Sequence, residues 1–190
     1  MNGLYEAALD AQGFLEKRGW RFCIIGGLAV VRWGQPRLTH GVDITVLTGF
    51  GSEERYIREL LRRYRPRVED AARFARENRV LLVSASNGIP IDLSLGGLPF
   101  EGSLVSRATP FEYAQGVSLI TCSGEDLIVL KAFAARGQDW LDVEGIVVRQ
   151  RGHLDWDYIH EQLAPLCELK GEPEILDHLR DIRKKIEEDR

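Results

Sequence analysis

Nowhere in the 190 residues does an uninterrupted apolar run approach the ~18–20 residues a membrane helix needs, so no membrane contact is expected. Residues 1–18 carry Glu6, Asp10 and Glu16 among their apolar positions and do not read as a secretory signal. Cysteine is scarce: Cys23, Cys122 and Cys167 are scattered, odd in number and form no CxxC pair. A disulfide scaffold is thereby excluded, and buried thiols in a reduced, cytoplasmic protein are expected. Positive charge is not in excess. With 25 basic and 29 acidic residues the net charge is −4, which argues against a nucleic-acid surface spread over the whole molecule and leaves room for a local basic patch. Several signature motifs are absent too. There is no GxxxxGKS/T phosphate loop, no GxGxxG dinucleotide turn, no GxSxG elbow and no HExxH pair; His153 and His160 lie near Asp155 and Asp157 without metal-ligand spacing. What remains is 44% apolar and 28% charged, a balance able to bury a sizeable core and too apolar for disorder.

The length suits one domain, or one with a small helical appendage. Leu4, Ala8, Ala11 and Leu15 recur at helical spacing before Gly19. Arg21 to Ile25 reads as a short buried strand, followed at once by Gly26-Gly27 and an apolar helix that Gly34-Gln35-Pro36 ends. Val42, Ile44 and Val46 alternate with Gly41, Asp43 and Thr45, the period of a strand with one apolar face. A charged helix from Ser52 to Tyr64, a second from Glu69 to Asn78 and a strand from Arg79 to Ser84 are expected next. Asn87-Gly88 marks a hairpin turn into a second alternating strand, Ile89 to Leu95, with Asp92 and Ser94 on its polar face. One or two short strands are expected between Phe111 and Thr121. From Ser123 onward the pattern is helical, with Ser123 and Asp126 spaced as a capping box and Asp139 and Asp142 spaced likewise before Trp140 to Gln150. Two amphipathic helices follow, near Asp155 to Cys167 and Pro173 to Glu188. The stripe Ile175, Leu176, Leu179, Ile182 and Ile186 in the last is core or a docking face. The expected division is an α/β core over residues 1–122 and a helical part over 123–190.

Asp43 and Asp92 each stand on the polar face of an alternating strand. Two carboxylates at positions of equal parity can converge on one hard divalent cation such as Mg²⁺, which takes one or two carboxylates plus substrate phosphates; equally, both can be solvent-facing residues of one sheet face. Gly26-Gly27, between a buried strand and a helix start, can bring backbone amides close to a phosphate, or can be a tight turn only. Leu127 to Ala135 is apolar on nearly all sides apart from Lys131, so that ammonium must reach either water or an anion. Arg136 is placed as a helix C-terminal cation, and Asp139 and Asp142 either cap the next helix or link to Lys131 or Arg136. Between Arg55 and Arg79 nine arginines face only four acids, with Tyr56, Tyr64 and Phe74 interleaved. Such a run is a solvated helix face with internal ion pairs, or a patch for an RNA backbone in which Arg62, Arg63 and Arg65 are the candidate contacts.

The glycine pair, then Arg37-Leu38-Thr39-His40-Gly41-Val42-Asp43, then Asp92 in Pro90-Ile91-Asp92-Leu93, resembles the nucleotidyltransferase signature of the DNA polymerase β superfamily. The arginine–threonine form of that loop, with the Lys131, Arg136, Asp139 and Asp142 constellation, is similar to the AbiEii/AbiGii-type nucleotidyltransferases of type IV toxin–antitoxin systems. The resemblance spans roughly residues 20–150. It implies an α+β fold, a polymerase β-like mixed sheet flanked by helices with a helical C-terminal part. It also implies a metal-dependent transferase that moves NMP from an NTP to an RNA, tRNA among them, or to a protein acceptor, with a cognate antitoxin protein as partner. Carried over, Asp43 and Asp92 are metal ligands for Mg²⁺ or Mn²⁺ and Asp92 helps to deprotonate the acceptor hydroxyl. Gly26, Gly27, Lys131 and Arg136 take the nucleotide, Arg37 and Thr39 shape the loop before the metal strand and so belong to the same nucleotide site, and Asp139 and Asp142 support it.

The chain departs from that pattern at Gly41, where the first aspartate of the paired carboxylates would stand. Two of three carboxylates remain. Thr45 shares the strand face but its hydroxyl is no substitute for a carboxylate on Mg²⁺, so slowed chemistry is expected. A catalytically silent nucleotide- or partner-binding protein of the same fold is the alternative.

Overall fold

The computed structural model describes residues 2–188. Its seven strands form one mixed sheet in the order β3-β4-β5-β2-β1-β7-β6. The helix α1 (Gly3–Glu16), N-capped by Asn2, leads into β1 (Phe22–Ile25), and α2 (Gly26–Trp33) begins at the next residue. Then come β2 (Val42–Leu47), α3 (Glu53–Arg63), β3 (Arg65–Pro66), α4 (Ala71–Asn78), β4 (Val80–Ser84) and β5 (Pro90–Gly96). After α5 (Pro99–Arg107) the hairpin β6 (Thr109–Ala114) and β7 (Val117–Thr121) completes the sheet. Four helices follow: α6 (Gly124–Ala134), α7 (Gly137–Arg149), α8 (Trp156–Lys170) and α9 (Glu174–Glu188). The α+β mixed sheet flanked by helices is the fold class expected from the sequence. No helix among the described residues is long and apolar enough to cross a membrane.

Alternation decides which sheet face is core. Val42, Ile44 and Val46 of β2 and Ile91, Leu93 and Leu95 of β5 are essentially inaccessible, and they pack with Leu15 of α1, Ile57 and Leu60 of α3 and Ala75 of α4 in one cluster. Each such fully buried aliphatic side chain is worth about 1.5–3 kcal/mol of transfer free energy, which the entropy of ordering the chain largely offsets. The opposite face is not simply solvated. Thr45 is buried there, and Glu101 of α5 lies against Gly96 on the same side. β3 is a two-residue edge strand carrying Pro66, which cannot extend a ladder. Neither β3 nor α5 is announced by the sequence: the first is too short for a period, and the second starts with a proline and has little apolar stripe.

The chain divides into two compact units. One holds the chain up to Leu28 together with Leu38–Cys122, and so carries the whole sheet; the other joins Ala29–Arg37 to the chain from Ser123 onward. Within the second unit Arg149, the last residue of α7, and Gln150 after it donate to the carbonyls at the end of α2, Gly34 and Trp33. Those are orphan acceptors of a helix terminus, so the pairing satisfies what the backbone alone cannot. α8 is capped by Asp155 and ends on Gly171 at φ 75°. The apolar stripe of α9 is core: Ile175, Leu179, Ile182 and Ile186 are buried. Cys23, Cys122 and Cys167 are all buried and none is in a disulfide.

Candidate active site

Strand register brings the polar-face residues together. β1 and β2 run antiparallel with Ile25 opposite Asp43, and β2 and β5 run parallel with Asp43 opposite Asp92. Neighbouring strands lie about 4.8 Å apart, so the two half-buried carboxylates stand side by side on one face. Gly26, the residue after β1, has φ 61°, and a Cβ built on it would lie 2.0 Å from Asp43 Oδ2. Its backbone therefore presses directly on the carboxylate, a position and a conformation only glycine accepts. A Cβ on Gly27 would lie 2.4 Å from Thr39 Oγ1. The Thr39 hydroxyl in turn donates to the Gly41 carbonyl at 3.3 Å and ties the loop that leads into β2. The glycine pair thus has a reason inside the protein: it makes room for Asp43 and Thr39 at the start of α2.

Asp92 has an unusual environment. Its Oδ1 is buried and accepts no hydrogen bond among the described residues, yet Arg67 Nη2 lies 2.8 Å from that same atom. The contact is an ion pair by distance but not a directed hydrogen bond, so the oxygen is neutralised without being geometrically satisfied. Arg67 comes from the chain just beyond β3. Its N–H donates to the Leu82 carbonyl at 3.1 Å, and Leu82 stands opposite Asp92 across β4 and β5. Arg67, Leu82, Asp92 and Asp43 therefore form one row across the sheet. The guanidinium spans roughly two strand spacings, about 10 Å, to reach the carboxylate.

These residues suit a single hard cation. Two carboxylates side by side, Asp43 and Asp92, are the donor set Mg²⁺ takes from a protein that leaves the remaining positions to water and phosphate. A third protein ligand is lacking: no group of three or more His, Cys, Asp or Glu among the described residues is arranged to hold a metal. Gly41 stands where the resemblance expects such a ligand. It precedes β2 at ordinary negative φ, and a Cβ there would meet the Pro90 carbonyl at 3.1 Å and Pro90 Cβ at 3.3 Å. A side chain there requires the Pro90 carbonyl to give by a few tenths of an ångström.

The second unit gathers the other predicted residues into a different kind of cluster. Lys131 is buried, and its Nζ lies 2.7 Å from Asp139 Oδ1 and 2.9 Å from Asp142 Oδ2. Arg37 Nε and Nη2 grip Asp142 at 2.7 and 2.8 Å in a bidentate fork. Gln138 adds a bond to Asp142, and Arg136 bonds Asp139 at 2.6 Å. Burial by itself would raise the Asp139 carboxyl, but the Arg136 and Lys131 donors outweigh it and hold it below the ordinary value. Asp142 is likewise raised by burial and lowered further by Arg37 and Lys131. The N-cap position of α7 is Arg136, and both aspartates spend their oxygens on cations. Helix capping, the simplest reading of their spacing, is thereby replaced by ion pairing. Arg136 itself is 76% exposed at its side chain.

Most of the arginine run is paired internally. Arg62 bonds Glu59, Arg73 bonds Glu77, Arg76 bonds Glu54, and Arg63 and Tyr64 both bond Asp10. Arg79 bonds Glu53 and the Leu95 carbonyl. Arg65 makes no ion pair among the described residues. It lines, with Arg63, Arg67, Ser84 and Ser86, a groove of about 650 Å³ along the sheet edge. Arg67 and the Arg37–Asp142 fork are the features that periodicity does not reveal; the only signal for Arg67 is its membership of the run.

The same arrangement of elements recurs in solved structures. A nucleotidyltransferase-like antigenic protein of Paracoccidioides brasiliensis superposes with a TM-score of 0.53 at 14% identity, over 93% of this chain and 92% of that one. The lincosamide antibiotic adenylyltransferase LnuA, with lincomycin bound, superposes with a TM-score of 0.51 at 12% identity, over 74% of this chain and 94% of that one. At such identities the likeness is one of fold. No family model and no curated protein matches the sequence.

Proposed function

We propose that the protein transfers NMP from an NTP to an acceptor hydroxyl, releasing pyrophosphate, with RNA as acceptor. The observation that carries this reading is the in-register placement of Asp43 and Asp92 on adjacent parallel strands, with Gly26 pressed against Asp43. The nucleotidyltransferase fold supports the class of reaction. Asp43 and Asp92 would hold Mg²⁺ or Mn²⁺, which when bound offsets negative charge on the triphosphate and on the departing pyrophosphate. Asp92 takes the proton of the acceptor hydroxyl as its oxygen attacks the α-phosphorus; the new O–P bond forms as the bond to pyrophosphate breaks. The backbone at Gly26 and Gly27, at the start of α2, presents amides to the triphosphate. The family resemblance also gives Lys131 and Arg136 to the nucleotide phosphate, but both are spent on Asp139 and Asp142 within their own unit, so no phosphate contact is assigned to them. The acceptor assignment rests on the arginine-lined groove beside Asp92.

In the cell, the AbiEii resemblance points to a cytoplasmic toxin–antitoxin component with a cognate antitoxin protein as partner. The test incubates it with each labelled NTP, Mg²⁺ and total RNA, and reads label on RNA and on protein. Label on RNA that disappears in Asp43→Asn supports the reading; label on protein alone moves the acceptor; no label with any NTP sinks transfer. A second reading, a nucleotide- or partner-binding protein without catalysis, is favoured by one observation, Gly41 in the place of a metal ligand. Saturable NTP binding with no transfer, unimproved by Gly41→Asp, is its signature.

A further inference from the structure

The groove and the carboxylate pair share one residue. Arg67 lines the groove with Arg63, Arg65, Ser84 and Ser86, and the same guanidinium neutralises Asp92. We infer that Arg67 is divided between two anions, the Asp92 carboxylate in the resting protein and a backbone phosphate of single-stranded RNA in the groove, so that acceptor docking uncovers the carboxylate. This deepens the RNA-acceptor reading and rests on it.

Three observations carry it. The Arg67–Asp92 contact is loose in direction though short, leaving Asp92 Oδ1 without a hydrogen bond, so little directed bonding is lost when the guanidinium turns. Both partners are accessible, with 28% and 39% of their side chains exposed, and a partly exposed pair is held weakly. The groove is charged but not internally balanced. Arg63 is taken by Asp10, whereas Arg65 has no ion pair among the described residues, and Ser84, opposite Arg65 in the β3–β4 ladder, adds a hydroxyl. A phosphate between Arg65 and Arg67 would gain two guanidinium donors. The groove's charge disfavours a cationic acceptor and suits an anionic strand. A protein acceptor is the competing class, and the test separates the two.

A double-mutant cycle reads the sharing directly. Affinity for a fluorescein-labelled single-stranded RNA 12-mer is measured by polarisation in EDTA for the wild type, Asp92→Asn, Arg67→Gln and the double variant, with thermal melts to confirm folding. Asp92→Asn releases the arginine and should tighten binding about fivefold, Arg67→Gln should weaken it about fivefold, and Asp92→Asn in the Arg67→Gln background should change it by less than about twofold. Arg65→Glu should weaken binding while leaving the gain from Asp92→Asn intact. An equal gain from Asp92→Asn in both backgrounds would reduce the effect to bulk charge and overturn the sharing. RNA binding unchanged by Arg65→Glu and Arg67→Gln would place RNA elsewhere and also overturn it, leaving NMP transfer untouched. Absence of RNA binding in all variants, with label transferred to protein in the assay above, would overturn both this inference and the RNA acceptor while keeping the transferase. The expected cycle without any NMP transfer would retain the shared arginine and sink the transferase alone.

Discussion

Two clusters of aspartates, two different states of satisfaction. At Asp139 and Asp142 every carboxylate is spoken for: Lys131, Arg37, Arg136 and Gln138 converge on two buried side chains with bonds of 2.6–3.4 Å. At Asp43 and Asp92 the carboxylates are half-exposed, and Asp92 Oδ1 has a nearby cation but no hydrogen bond among the described residues. A saturated buried network is costly to disturb and has no valence left for a substrate. Two anions side by side, one of them with an oxygen that accepts no hydrogen bond among the described residues, are poorly arranged for stability and well arranged to take a cation. The same residue type is thus locked into a buried ion-pair network in one place and left half-exposed on a sheet face in the other.

The comparison is sharpest in stability. Asp142→Asn should lower unfolding stability by on the order of 3 kcal/mol, because Lys131 and the Arg37 fork lose a charge they were buried with. Denaturant melts check this, and a loss as small as that of a surface pair would erase the distinction. Next in size, Gly41→Asp should fold, since Gly41 does not have positive φ, and should raise NMP transfer about tenfold or more by adding a carboxylate beside Asp43. A well-folded variant with no gain would favour the silent-binder reading.

Acid should weaken the saturated cluster. The carboxyls of Asp139 and Asp142 lie below their ordinary value. Their contribution is therefore complete above the unfolded pKa of ~3.9 and is lost as pH falls through the lower folded values. The melting temperature should drop below about pH 4, and Asp139→Asn/Asp142→Asn should flatten that drop. The smallest effects belong to Asp92→Asn and Arg73→Ala, each within about 1 kcal/mol of wild-type stability, since both break partly or largely exposed pairs.

How much of this was legible beforehand depends on what each feature is made of. Period-two alternation placed Asp43 and Asp92 on the polar faces of β2 and β5, because one face had to be core; the same rule put Thr45 on that face without revealing that it is buried. The lone lysine of α6 signalled a cation in need of water or an anion, and Asp139 and Asp142 proved to be its anions, not helix caps. Gly26 and Gly27 read as a phosphate turn or a tight turn; their tightness comes from Asp43 and Thr39, contacts across 17 and 12 residues that no local pattern encodes. Likewise the Arg37–Asp142 fork joins positions 105 apart, and Arg67 reaches Asp92 across a strand whose pairing only the assembled sheet defines.

The central claim is that Asp43 and Asp92 form a working transferase site while the Lys131 cluster holds its own unit together. It is tested most directly by measuring NMP transfer from labelled NTP to RNA in wild type and Asp43→Asn, with a melting curve for each. The account predicts transfer by the wild type, a loss of at least about 100-fold in Asp43→Asn and little change in melting temperature. Transfer that survives Asp43→Asn in a folded protein would contradict it.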